Sequence, residues 1–160
     1  VSDRQANWRP HVLIVSDDPG LVEFLGEGLV IEGFWTSAIA SAFQALEVFR
    51  MRTFDVVVLD AALGGPGAME LLRRLRGRSD RAPEGPRTDR PILVAAASPE
   101  EIDVPAALDA GADGMLLAPV ELEDAARTLF AHVAAWRERH PGEPWADQAV
   151  LARAGQAQTS

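Results

Sequence analysis

The sequence predicts one doubly wound α/β domain, a five-stranded parallel sheet flanked by five helices. Two observations carry that expectation. Three short apolar runs, His11 to Ser16, Phe54 to Asp60 and Pro91 to Ala97, lack the polar alternation of a half-exposed strand. They read as strands covered on both faces, the pattern of a parallel sheet. Two weaker candidates, Phe34 to Ala38 and Gly114 to Leu117, fall between segments of helical periodicity, so strand and helix alternate five times along the chain.

The helices have readable ends. Asp18-Pro19 opens the first, whose residues Leu21, Phe24, Leu25, Gly28 and Leu29 lie at helical spacing, and Gly33 closes it. Ser98-Pro99-Glu100-Glu101 combines a hydroxyl cap, a Pro at the first helical position and acids at the positive end of the dipole. It predicts a helix running to Gly111. The last helix, from about Val120 to Arg139, presents Leu122, Ala126, Leu129, Val133 and Trp136 on one face and stops at His140-Pro141-Gly142. Residues 1–10 form an N-terminal extension, 11–139 the domain, and 140–160 a tail or linker with a short helix expected around Trp145 to Arg153. Within the domain, Gly77 to Arg90 holds two Pro, two Gly and four Arg with no aliphatic residue larger than Ala, and reads as a long mobile connection.

Composition excludes several function classes. The chain has 160 residues, enough for one domain with a true core, and a formal net charge of −9. Every basic residue is Arg, and the charge balance opposes direct binding to nucleic acid or an acidic membrane. The absence of cysteine removes disulfides, thiolate nucleophiles and zinc ribbons, and His11, His132 and His140 are too scattered for a metal cluster. With no membrane-length apolar run and no signal-peptide core, a cytoplasmic location is expected.

In an open parallel sheet, ligands bind at the carboxyl ends of the strands beside the point where the strand order reverses. There the sequence places acids. The first strand runs into Ser16-Asp17-Asp18 and the third ends at Asp60, so carboxylates from two strands can converge on one hard cation such as Mg²⁺. Taken alone, Asp17 or Asp18 reads equally as a cap of the following helix. The loop Leu63-Gly64-Gly65-Pro66-Gly67-Ala68 lacks both the dinucleotide spacing and a Walker Lys, and reads as a turn into the next helix.

At these residues the sequence resembles the receiver domain of two-component response regulators. Val12-Leu13-Ile14-Val15-Ser16-Asp17-Asp18-Pro19 is similar to the family's first strand and its acids, and Phe54-Asp55-Val56-Val57-Val58-Leu59-Asp60 to its third strand. Gly111-Ala112-Asp113-Gly114-Met115-Leu116-Leu117-Ala118-Pro119 is similar to the last strand and its approach, where the family carries Lys-Pro, commonly with a cis peptide bond. Gly33-Phe34, Gln44-Ala45-Leu46 and Glu70 to Leu75 add weaker matches, and the likeness spans about Arg9 to Val133. It implies a flavodoxin-like fold of receiver topology, Asp60 as phosphoacceptor, and Mg²⁺ held by Asp17, Asp60 and the backbone carbonyl of Ala62. A register shifted by one residue would bring Asp18 into the acid pair.

Four positions depart from the family pattern. Ser16 stands for the first acid, Ala96 for the Thr or Ser that senses the phosphoryl group, Met115 for the switch aromatic, and Ala118 for the Lys. A methyl cannot donate the charge-assisted hydrogen bond an ammonium gives to a phosphoryl oxygen. Fewer charges also mean weaker Mg²⁺ binding.

The resemblance therefore implies an atypical receiver, not an enzyme, acting through protein–protein interaction with weak or no phosphorylation at Asp60. The alternative is a conventional phosphoacceptor phosphorylated on Asp60 by a histidine kinase. Expected partners are a histidine kinase or another signalling protein, with a homodimer through 99–110 and 120–139. An aspartyl-phosphate phosphatase would need a second Asp two residues beyond the nucleophile, where Ala62 stands. A small-molecule-sensing variant remains open, since Ala96, Ala118 and the glycine loop would enlarge the pocket.

Overall fold

The three apolar runs form the centre of the sheet. In the computed structural model, which describes residues 9–81 and 83–146, every residue of β1 (His11–Val15), β3 (Val56–Asp60) and β4 (Ile92–Ala96) is buried. The edge strands β2 (Trp35–Ile39) and β5 (Gly114–Leu117) are partly exposed, which is why their sequences are less apolar. All pairings are parallel, in the order β2-β1-β3-β4-β5. The chain steps outward from β1 to β2 and then crosses back to β3, so the strand order reverses between β1 and β3.

Alternate residues of each strand feed two cores. Val12, Ile14, Val56, Val58 and Leu93 pack beneath α1 (Pro19–Ile31) and α5 (Leu122–Arg139). Leu13, Val15, Val57, Leu59 and Val94 pack beneath α2 (Ala42–Phe49), α3 (Gly67–Leu75) and α4 (Val104–Ala110). Burying each such aliphatic side chain contributes about 1.5–3 kcal/mol, so sheet position and helix position are set together. The predicted face of α5 is the observed one: Ala126, Leu129, Val133 and Trp136 are all buried. No helix among the described residues is long and apolar enough to cross a membrane.

One predicted helix is in fact two elements. Residues Pro99–Glu101 make a single 3₁₀ turn, Ile102 is extended, and α4 begins only at Val104. A continuous helix would place the Pro105 ring against the carbonyl four residues earlier and leave a gap in the hydrogen-bond ladder. The chain instead restarts, with Pro105 in the first turn of α4 and the Asp103 carboxylate accepting from the Ala106 N–H at 3.1 Å. Ser98, expected to cap, makes no side-chain cap hydrogen bond. The helix expected around Trp145 to Arg153 lies almost wholly outside the described residues.

The connection from Gly77 to Arg90 contains no helix or strand among its described residues, yet it is anchored where a free loop was expected. Arg76, at the end of α3, is the cause. Its guanidinium donates to the carbonyls of Thr88 at 2.7 Å, Arg90 at 2.9 Å and Gly111 at 2.9 Å, and to the Asp113 carboxylate at 2.6 Å. Gly111 has φ 118°, and a Cβ there would lie 2.4 Å from Arg76 Cγ, so glycine is required for this close approach.

The amino end of the sheet is closed by a buried ion pair. Asp55 accepts from the backbone N–H of His11 at 2.7 Å and of Ala146 at 3.1 Å, and from Arg90 Nη1 at 3.2 Å. The Arg90 guanidinium in turn stacks on the Trp136 ring at 4.0 Å. Burial raises the Asp55 carboxyl above its ordinary value of 3.8, against the lowering pull of those N–H groups and of Arg90 and Arg137. The folded chain thus holds this proton more tightly than the unfolded chain does. Its contribution to stability is full below the ordinary value and is lost as pH rises through the raised one. Urea denaturation across that window should show the native chain losing stability relative to Asp55→Asn as pH rises; a difference that does not change with pH would contradict the assignment.

Candidate functional site

The site is built at the opposite, carboxyl edge, where β1, β3, β4 and β5 end around one cavity of about 260 Å³. Asp60 closes β3 and is only 6% exposed. Its Oδ2 accepts from the Ser16 hydroxyl at 2.6 Å and its Oδ1 from the Ala62 backbone N–H at 2.9 Å. Ser16 follows β1 directly, is itself buried, and its Oγ also accepts from the Asp18 N–H at 3.0 Å. The hydroxyl therefore joins the ends of two strands that neighbour each other at the reversal of strand order.

The two following acids divide their work. Asp18 caps α1, its Oδ1 accepting from the Gly20 N–H at 2.9 Å. Asp17 turns toward the loop after β3, where its Oδ2 accepts from the Gly64 N–H at 3.3 Å. A Cβ on Gly64 would meet that same oxygen at 3.3 Å, so the small residue keeps the loop close to the acid. Asp17 and Asp18 both line the cavity that holds Asp60, Asp18 serving also as the cap of α1.

Asp17, Asp60, Ala62, Ala96 and Ala118 all line the cavity, as their strand-end positions predict. Ala118 leads into a cis peptide bond with Pro119, and its N–H donates to the Ala96 carbonyl at 2.9 Å, which holds the two alanines side by side. Met115 is not brought there; it packs on the core beneath α2, α3 and α4. Five contributors lie outside the strand-end reading. Leu21, Phe24 and Leu25 of α1 form an apolar wall, Val120 adds to it, and Glu101 reaches the rim, where its Oε2 accepts from the Ala97 N–H at 2.8 Å. The signal for Glu101 is its place three residues beyond the cap-like Ser98, from which its carboxylate reaches back to the Ala97 N–H.

The electrostatics are one-sided. Among the described residues the ionisable lining is Asp17, Asp18, Asp60 and Glu101, and no Arg or His joins them. Among the described residues, no group of three or more His, Asp or Glu side chains is placed to hold a metal ion. Asp17, Asp60 and Ala62 line one cavity, and two carboxylates with a backbone carbonyl are hard oxygens of the kind Mg²⁺ takes beside several waters. They fit that ion with one negative charge fewer than a second strand-end carboxylate at Ser16 would supply.

Comparison with known proteins agrees with this geometry. The family model described as "Response regulator receiver domain" matches residues 12–129. The protein named DNA-binding response regulator MtrA from Mycolicibacterium smegmatis is 34% identical over 136 residues, covering 85% of this chain and 54% of the relative. Its namesake from Mycobacterium leprae is 33% identical with 85% and 55% covered. The chain spans about half the length of the curated relatives it matches. A CheY-like receiver domain protein from Methanospirillum hungatei superposes with a TM-score of 0.69 at 22% identity, over 82% of this chain and 99% of that one. The chemotaxis response regulator CheY4 of Vibrio cholerae gives 0.64 at 23% identity, over 78% and 99%. At that identity, both show the fold.

The charge deficit at Ser16 is testable. Calorimetric titration should show Mg²⁺ binding the Ser16→Asp variant at least about tenfold more tightly than the native chain, the effect of one further hard anionic ligand. Equal affinity would mean that position 16 does not face the ion.

Proposed function

The chain belongs to the response regulator receiver domain family, and from that premise we propose that it is an atypical member, an interaction module in which Asp60 is phosphorylated weakly or not at all. Receiver domains in general act in two-component signalling, interact with histidine kinases and other signalling proteins, and bind Mg²⁺ at the phosphorylation site. The observation that carries the atypical reading is the cavity lining, which offers Asp60 no basic side chain and places alanines at 96 and 118.

The chemistry explains why that matters. In phosphoacceptance a carboxylate oxygen of Asp60 attacks the phosphorus of the donor, the bond from phosphorus to the donor atom breaks, and its electron pair leaves with the donor. Negative charge gathers on three phosphoryl oxygens, and catalysis consists largely of positioning and neutralising it. Mg²⁺, when bound, supplies part of that neutralisation. The chain's own contribution is small: neutral donors from the Ala62 N–H and the Ser16 hydroxyl, both already engaged with the nucleophile. Each missing charge-assisted hydrogen bond is worth about 1.5–3 kcal/mol. Losing one slows the transfer roughly ten- to hundredfold.

The same substitutions disconnect the readout. Ala96 has no hydroxyl to turn toward an added phosphoryl group, and Met115, partly buried, packs against the core beneath α2, α3 and α4. A surface of fixed shape then does the work. Its outline is the face of α4, β5 and α5, where Leu108 and Leu117 are exposed. That face suits a signalling partner or a second copy of the chain. The net charge of −9 opposes direct contact with nucleic acid. The chain spans only about half of the relatives named as DNA-binding response regulators, so their DNA binding is not carried over to this chain. The module is proposed to bind rather than to turn over a substrate.

A conventional phosphoacceptor is the second reading, favoured by one observation: Asp60, Asp17 and Ala62 still line a common cavity. Intact-mass spectrometry after incubation with acetyl phosphate and Mg²⁺ separates the two. The native chain should carry little or no phosphoryl adduct, at least tenfold less than the double variant Ala96→Thr/Ala118→Lys, and Asp60→Ala none. A native adduct as abundant as the double variant's that disappears in Asp60→Ala would restore the conventional reading.

A further inference from the structure

The cavity at the carboxyl edge combines two features that together point to a ligand. The first is the state of Asp60, a carboxylate 6% exposed whose hydrogen-bond partners are a hydroxyl and a backbone N–H. Burying an anion among neutral donors is costly unless a cation joins it, and no Arg or His lines the space beside it. The second is the opposite wall, which is apolar: Leu21, Phe24 and Leu25 from α1, with Leu116 and Val120. A bare divalent ion satisfies the acids and leaves that wall wet.

The geometry points to a small organic cation as the ligand of this cavity: a primary ammonium group beside Asp60 and Asp17, with an alkyl or aryl body against Leu25, Phe24 and Leu116. The volume of about 260 Å³ sits at the small end of ligand pockets, which restricts the body to one ring or a short chain. Ala118 and Ala96 are what make the room. A long basic side chain at 118 would bring its own ammonium into the cavity and fill it; with alanine, that place is open to an ammonium from outside. The ammonium supplies three donors to oxygens that now lack a cation, and the body removes apolar wall from water.

This inference rests on the reading that Asp60 has lost its internal cationic partner, and it extends that reading by naming what takes the partner's place. Occupancy would bridge α1 and the ends of β3, β4 and β5, which line the cavity together.

The test uses the full chain, uniformly ¹⁵N-labelled, titrated with 2-phenylethylammonium, and with 2-phenylethanol as a neutral analogue of nearly the same shape. Saturable shifts are expected at Asp60, Ala96 and Ala118, with the ammonium at least tenfold tighter than the alcohol. Ala118→Lys should weaken the ammonium at least tenfold, and its spectrum reports whether the fold is kept. Asp60→Asn should do the same without adding bulk, so loss of binding is not a matter of filling the space. Mg²⁺ should compete. No saturable shift, equal binding of the alcohol, or undiminished binding in both variants would overturn the proposal. The result is separable from the phosphorylation test, because an adduct on Asp60 is read by mass and ligand binding by chemical shift.

Discussion

A carboxylate at the end of a strand buried on both faces must find partners close at hand, and in this protein it finds a hydroxyl. The Ser16 Oγ to Asp60 Oδ2 bond of 2.6 Å ties β1 to β3 at the point where the strand order reverses. Around it the remaining site residues take their places. Asp18 is freed to cap α1, Asp17 turns toward Gly64, and Ala62 follows Asp60 closely enough for its N–H to hold the second carboxylate oxygen.

The two ends of β3 show what that choice means. Asp55 just precedes the strand and Asp60 ends it, and both are buried. Asp55 is met by a guanidinium, Arg90, together with two backbone N–H groups, and Arg90 is steadied by the Trp136 ring. Asp60 is met by neutral donors only. The amino end is thus a closed structural clamp, while the carboxyl end keeps an uncompensated anion facing a cavity with an apolar wall.

Much of this was legible in the sequence because both faces of the sheet are covered. The central runs carry no alternation, so β1, β3 and β4 stand out, and the topology then fixes where Asp17, Asp60, Ala62, Ala96 and Ala118 must gather. Edge strand β2 began one residue later than its expected Phe34, since Phe34 is a buried core residue before the paired segment. The helix expected from Ser98 was read through Pro105, although proline marks the true restart of α4. The apolar wall from α1 and the position of Glu101 depend on how helices rotate against the sheet, which strand ends do not reveal. Nor does sequence show that Ser16 donates to Asp60, a side-chain contact between residues 44 apart.

The measurement that bears most directly on this account is a double-mutant cycle between Ser16→Ala and Asp60→Asn, read by urea denaturation at neutral pH. If the hydroxyl is the partner that makes the buried carboxylate tolerable, the two changes couple by about 1 kcal/mol or more, with Ser16→Ala costly only while Asp60 is charged. Additive effects would contradict the account and assign the stability of Asp60 to something other than Ser16.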